Sequence, residues 1–319
     1  MSAMGRPLLI VLTILLGALG TAAGLIWLER RLLALWQDRL GPNRVGPLGL
    51  LQVAADLVKI LFKEDWIPPF AERGLFLLAP AVILVTTLLS FALVPIAPGF
   101  GVVDLNVGLL LLLGFTGLGA YGVALAGIGS GSKYSLLGGV RALAQTLAYE
   151  AFLGLALAGV AMMAGSFRLE DIVAAQGRIP FVVKQFPGFL LFLIAGVAWT
   201  HRLPLDLPEA DSELVAGFHA EYSGMKFGMF FVGEYLNVTL VSVLAAILYC
   251  GGWLGPVLPP VVWLLLKTLA FICLFILLRA ALPRPRFDQF LRLAWKVLLP
   301  LALISLWLSA LLVLHPWRR

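Results

Sequence analysis

GLFLLAPAVILVTTLLSFALVPIAP, residues 74–98, carries no charged side chain. A helix needs about 20 apolar residues to cross a hydrocarbon layer of about 30 Å, so this stretch is long enough to span a membrane. Working outward from it, comparable runs occur at 7–28, 106–128, 142–165, 186–200, 227–250, 261–278 and 297–314, the run at 186–200 being the shortest. A chain of 319 residues with 61% hydrophobic and 13% charged positions, and a mean hydropathy of +1.01, is not a soluble domain. The expected fold is all-α: a polytopic membrane protein of about eight transmembrane helices in a single integral membrane domain, 1–319. The first run is too long, and followed by too many others, for a cleaved signal peptide.

The basic residues set the expected orientation. Sixteen Lys and Arg fall in the loops after the first, third, fifth and seventh runs and six on the other side, with Lys267 inside a run. Cytoplasmic loops are the ones enriched in Lys and Arg, which places those loops in the cytoplasm and both termini in the periplasm. The pI near 9.5 reports this loop bias and gives no support for nucleic-acid binding. In the first cytoplasmic loop, Gln52, Asp56, Lys59 and Lys63 recur at intervals of 4, 3 and 4 residues, one face of a helix over 49–63. With a charged stripe and too short to span, that amphipathic helix lies on the membrane surface as an anchor or roofs an internal cavity.

Several chemistries are excluded within the chain. Cys250 and Cys273 form no CxxC pair and have no nearby His, whereas an iron–sulfur cluster needs about four thiolates. His201, His219 and His315 are scattered, no span holds paired His for haem, and no Gly-rich loop sits between a strand and a helix. Any redox centre must belong to a partner.

Charges inside the spans are more informative, because an ionisable group in a bilayer is costly and usually functional. At 1.5 Å per residue, Glu150 lies about 13 Å in from the cytoplasmic boundary, Glu234 about 12 Å and Lys267 about 18 Å. Above them, the loop 201–226 gathers Asp206, Glu209, Asp211, Glu213 and Glu221, five of the seventeen carboxylates. The loop carboxylates, then Glu150, Glu234 and Lys267, form a series descending from the surface toward the midplane, the layout of a proton relay. The alternative is that Glu150 or Glu234 pairs with Lys267 to hold helices together, and that the loop is an ordinary solvated charge run. Pro204, Pro208 and the interleaved leucines favour a packed loop, in which neighbouring carboxylates raise one another's pKa and share protons.

The segments ERRLLALWQDRLGPNRVGP (29–47), KEDWIPPF (63–70), GSGSKYSLLGGVRALAQTLAYE (129–150), PEADSELVAGFHAEYSG (208–224), GEY (233–235) and LPRPRFDQ (283–290) closely resemble the H-subunit family of NADH:quinone oxidoreductase, respiratory complex I. The resemblance covers nearly the whole chain. It implies a subunit of a translocase in the bacterial inner membrane that shapes the mouth of the quinone channel. Ubiquinone or menaquinone would be the substrate, and flavin and iron–sulfur clusters would reside only in partner subunits. The implied partners are the quinone-site and terminal-cluster subunits of the hydrophilic arm, small membrane subunits and antiporter-like subunits. Residue by residue, it places Glu29, Arg30, Ala55 and Asp56 along the quinone passage, with Arg284 and Arg286 near the same face. Its acidic loop set maps to Asp206, Glu209, Asp211, Glu213 and Glu221, and its buried acids to Glu150 and Glu234. The chain departs from the family at Leu205, Asp211 and Ala148, where Phe, Glu and Ser are usual; the Asp keeps the charge and shortens its reach.

Two other readings remain. The anchor subunit of a related membrane-bound hydrogenase or formate hydrogenlyase would carry protons without housing a quinone. An ion transporter acting alone would often show internal repeats, which this sequence lacks.

Overall fold

The computed structural model describes residues 5–314, apart from the side chains of residues 5–8 and of Asp211 and Ser212. Its regular structure is helical. In chain order the helices are α1 Gly5–Trp36, α2 Gln52–Phe62, α3 Arg73–Ala92, α4 Gly108–Gly129, α5 Lys133–Ala164, α6 Leu169–Ala174 and α7 Phe181–Lys184. They continue with α8 Phe186–Trp199, α9 Asp211–Leu214, α10 Gly224–Tyr249, α11 Pro260–Ala281, α12 Phe287–Leu293 and α13 Leu299–Leu314. Lipid offers no hydrogen bonds to a backbone, so an apolar run satisfies its own N–H and C=O groups by coiling.

Seven helical runs are long and apolar enough to cross a membrane, and α8 is a shorter apolar helix. With 14 residues, α8 is about 21 Å long, less than a hydrocarbon layer. Several helices extend beyond the uncharged runs in the sequence. α1 continues through Glu29, Arg30 and Arg31, and α5 begins at Lys133. A charge ends an apolar run without ending a helix, because Glu, Lys and Arg are good helix formers once the segment leaves the lipid.

Two prolines shape the bundle. Pro300 has no N–H for the carbonyl four residues back, and its ring crowds that carbonyl; residues Ala294–Leu298 open into a π-helical turn there, joining α12 to α13 in one continuous rod. Pro80 likewise leaves the Phe76 carbonyl without its helical donor. The hydroxyl of Tyr222 donates to that oxygen at 3.1 Å, and the Tyr222 ring stacks on Phe76 with centroids 3.9 Å apart. The freed carbonyl thus becomes a dock for the loop that precedes α10.

α10 is the most enclosed span and packs against α1, α3, α8 and α11, while α5 packs against α4, α8 and α13. α1, α11 and α13 form the rim, their outer leucines exposed. The segment 200–223, which joins α8 to α10, folds over one end of the bundle. It seats on α5 at Gly138, where a Cβ would stand 2.5 Å from the Phe218 nitrogen and 2.8 Å from the Pro208 oxygen.

Candidate functional site

Beneath that segment lies a cavity of about 420 Å³. α10 contributes Glu234, Tyr235 and Asn237, α1 contributes Glu29 and Arg30, and α11 contributes Arg279. His201, Arg202, Asp206, Glu209 and His219 come from the covering segment, and Thr86, Thr87, Ser90 and Thr116 from α3 and α4.

Arg202 is at its centre. One guanidinium nitrogen donates to both oxygens of Glu29, at 2.9 and 2.8 Å, and Nε faces the carboxylate of Glu234. The guanidinium carbon sits 4.1 Å from the centroid of the Tyr235 ring. Glu29, only 2% exposed, also receives Arg279. Two carboxylates and two guanidinium groups therefore share one network, buried at Glu29 and half-buried at the other three, whose formal charges cancel. Burial disfavours the Arg202 cation, but Glu234 and Glu29 outweigh that cost and hold its pKa above the ordinary arginine value. Burial pushes the neighbouring His201 down to about 4, so its ring is neutral, and its buried Nε2 has no hydrogen-bond partner among the described residues. His201 also has a left-handed backbone, φ +50°, a conformation that costs a non-glycine residue energy.

Below the ionic network the wall is hydroxylic. Thr86, Thr87, Ser90 and Thr116 donate to carbonyls of their own helices three or four residues back, which leaves their oxygens able to accept. The Thr87 hydroxyl is 3.1 Å from the Asn237 amide oxygen.

The structure divides the residues singled out from the sequence. Asp206 lines the cavity and pairs with Arg284 at 2.8 Å; Glu209 lines it 4.0 Å from His219. Glu213 points elsewhere and pairs with Arg141 of α5. Glu221 is not among the lining residues, and the side chain of Asp211 lies outside the described residues. Tyr149 borders the cavity, whereas its neighbour Glu150 faces Gly117 of α4, its buried Oε1 without a hydrogen-bond partner among the described residues. Asp56 receives Arg30 at 2.6 Å and Gln52 at 2.9 Å, which fastens the polar edge of α2 to α1, while Ala55 is exposed beside it. At the start of α12 the Arg286 backbone N–H donates to the Gln289 amide oxygen at 3.0 Å, and the Arg286 side chain is exposed.

Lys267 is placed apart from the acids. Its ammonium donates to the carbonyls of Cys250, Gly252 and Leu254 at 2.7–2.8 Å, in the turn that follows α10. It caps the negative end of that helix and does not line the cavity.

Sequence reasoning passed over Arg202, Arg279 and His201. The available signal was indirect: Glu29 and Glu234 are acids within apolar helices, acids there need counter-ions, and Arg202 and Arg279 stand at the ends of adjoining apolar helices. Among the described residues no group of three or more His, Cys, Asp or Glu side chains is arranged to hold a metal ion.

Residues 8–310 match the NADH dehydrogenase family model. Over 298 residues, 93% of this chain and 94% of the relative, the chain is 60% identical to the H subunit of the NADH-quinone oxidoreductase of Methylococcus capsulatus. The chain belongs to the H-subunit family of NADH-quinone oxidoreductase. It is thus a multi-pass membrane subunit of complex I and works with other subunits of that enzyme. The match over residues 8–310 includes every residue that lines the ionic cavity, so that cavity lies inside the region shared with the family.

Proposed function

We propose that the chain forms part of the quinone channel of complex I and couples quinone reduction to proton translocation, with the ionic cavity as the coupling element. The observation that carries this reading is the Glu29–Arg202–Glu234–Arg279 network, centred on buried Glu29, which ties the covering segment to three membrane helices. In this reading α1 and α2 wall the passage of the apolar quinone tail, with Arg30, Ala55 and Asp56 along it. The electrons come from an iron–sulfur cluster in a partner subunit.

Reduction of a quinone to its quinol consumes two electrons and two protons. The two electrons place negative charge on the quinone, above Arg202 and near Asp206 and Glu209, until two protons reach it from solvent. That charge competes with Glu29 and Glu234 for the buried guanidinium groups, and a carboxylate losing its counter-ion in a low-dielectric site takes up a proton. Glu234 has Arg202 as its cation in the network, whereas Glu29 holds two, so Glu234 is the acid that responds. The hydroxyl-lined wall leads from it between α3 and α4, and Glu150 of α5, which faces Gly117 of α4, passes the charge on to the antiporter-like subunits.

Glu234→Gln and Glu150→Gln keep size and remove charge. The assembled complexes are expected to lose proton pumping or quinone reductase activity while NADH oxidation by ferricyanide, which uses only partner centres, continues. Full pumping at the normal rate in both variants would overturn the proposal, and loss of ferricyanide activity would report failed assembly.

A further inference from the structure

A separate cavity of about 290 Å³ opens at the other end of the bundle, between the start of α8 and the last turns of α13. α8 reaches the ionic cavity with its final residues, so its first residues lie toward the opposite membrane face. This second cavity is lined by Lys184, Gln185, Ser305 and Ser309, with Leu308 and Leu312 beside them.

Gln185 is buried and held in a gap left by Gly159, where a Cβ would stand 2.1 Å from the Gln185 amide nitrogen. That nitrogen donates to the Ala156 carbonyl at 3.3 Å. The amide oxygen of Gln185 and the hydroxyl oxygen of Ser305 are buried with no hydrogen-bond partner among the described residues, although each residue is 98% enclosed. Polar atoms at membrane depth are costly unless something pairs with them. Lys184, exposed at the mouth, is the charged residue of the lining, and Leu308 and Leu312 stand exposed on one face of α13.

We propose that this cavity binds the headgroup of an anionic glycerophospholipid with free headgroup hydroxyls, of the phosphatidylglycerol type. The phosphate pairs with the Lys184 ammonium, the hydroxyls supply donors to Gln185 and Ser305, and an acyl chain follows Leu308 and Leu312 along α13. A volume near the lower end of the ~300–1,000 Å³ range of small-ligand pockets takes a headgroup and leaves the chains in the bilayer. With cationic Lys184 at the mouth, a net anion is favoured over a zwitterion whose own ammonium would face it.

The test uses the whole complex, stripped of lipid by detergent exchange and re-equilibrated with phosphatidylglycerol or phosphatidylcholine. Lipid retained on the released subunit is read by native mass spectrometry. Phosphatidylglycerol should be retained about fivefold better than phosphatidylcholine, the preference worth one lysine at a membrane surface. Lys184→Gln should remove that preference, and Leu308→Trp, which fills the cavity, should remove retention of both lipids, with assembly and ferricyanide activity unchanged. Equal retention of the two lipids by the unmodified complex, or retention unaffected by either substitution, would overturn the proposal. So would an efficient cross-link from Lys184→Cys to a helix of a neighbouring subunit, which would mean that protein fills the space.

Discussion

Arg202 shows how much one side chain decides at the residue scale. It binds Glu29 and Glu234 together and lies over Tyr235; replacing it by Met would leave buried Glu29 with one cation fewer and half-buried Glu234 without its Arg202 partner. Breaking a buried ion pair from one side costs about 3–5 kcal/mol. Arg202→Met should therefore lower the yield and melting temperature of the complex sharply. Adding Glu29→Gln and Glu234→Gln should restore part of that stability, because neutralising the whole network removes the unpaired charge. A triple variant no more stable than Arg202→Met would mean that packing around the guanidinium, and not charge, sets the loss. His201 provides a separate readout through pH. Its pKa falls from an unfolded value of about 6.5 to about 4 in the fold, so between those values the unfolded chain binds the extra proton. The stabilisation is complete above about pH 6.5 and is lost as pH falls toward 4, by up to about 3 kcal/mol. Thermal inactivation of the complex between pH 7.5 and 5 should steepen accordingly, and His201→Asn should flatten the slope; an unchanged slope would assign it to another group.

At the scale of the element, α2 is the informative case. Its residues are exposed or half-buried, its apolar positions Leu57, Val58, Leu61 and Phe62 face outward, and its polar edge is tied to α1 through Asp56 and Arg30. The sequence period identified the helix and its charged stripe; an anchor and a channel wall share that period, so the role was not legible there. Ala55→Phe adds bulk without charge next to the Arg30–Asp56 pair. If α2 walls the quinone passage, this substitution should raise the apparent KM for a short-tailed quinone several-fold and alter sensitivity to channel-blocking inhibitors, with ferricyanide activity intact. Wild-type values for both in an assembled complex would leave α2 a surface anchor. α3 illustrates the opposite situation, where a local sequence feature has a distant consequence. Pro80 necessarily frees a carbonyl, but that Tyr222 would come to occupy it, 146 positions along the chain, follows only from how α3 and α10 pack.

For the whole molecule, the proposed coupling requires the covering segment and the membrane helices to act as one electrostatic unit. Asp206→Asn and Glu234→Gln act at its two levels, Asp206 on Arg284 and Glu234 on Arg202. If both belong to one network, the double variant should lose less quinone reductase rate and proton uptake than the sum of the singles; strictly additive losses would mean independent sites. The membrane class and the helical fold were decided by the sequence itself, because in lipid each apolar run must bond its own backbone and that requirement is local. The acidic loop and the acids within the spans were legible for the same reason: a charge among apolar neighbours stands out in one dimension. Where those acids find their counter-ions was decided by tertiary structure. Glu29 meets Arg202 across 173 positions and Arg279 across 250, and Lys267 turns to carbonyls at the end of α10. A span such as α10 is apolar on nearly every side, so its period does not say which face meets which neighbour. Only the packing of the helices brings the opposite charges together.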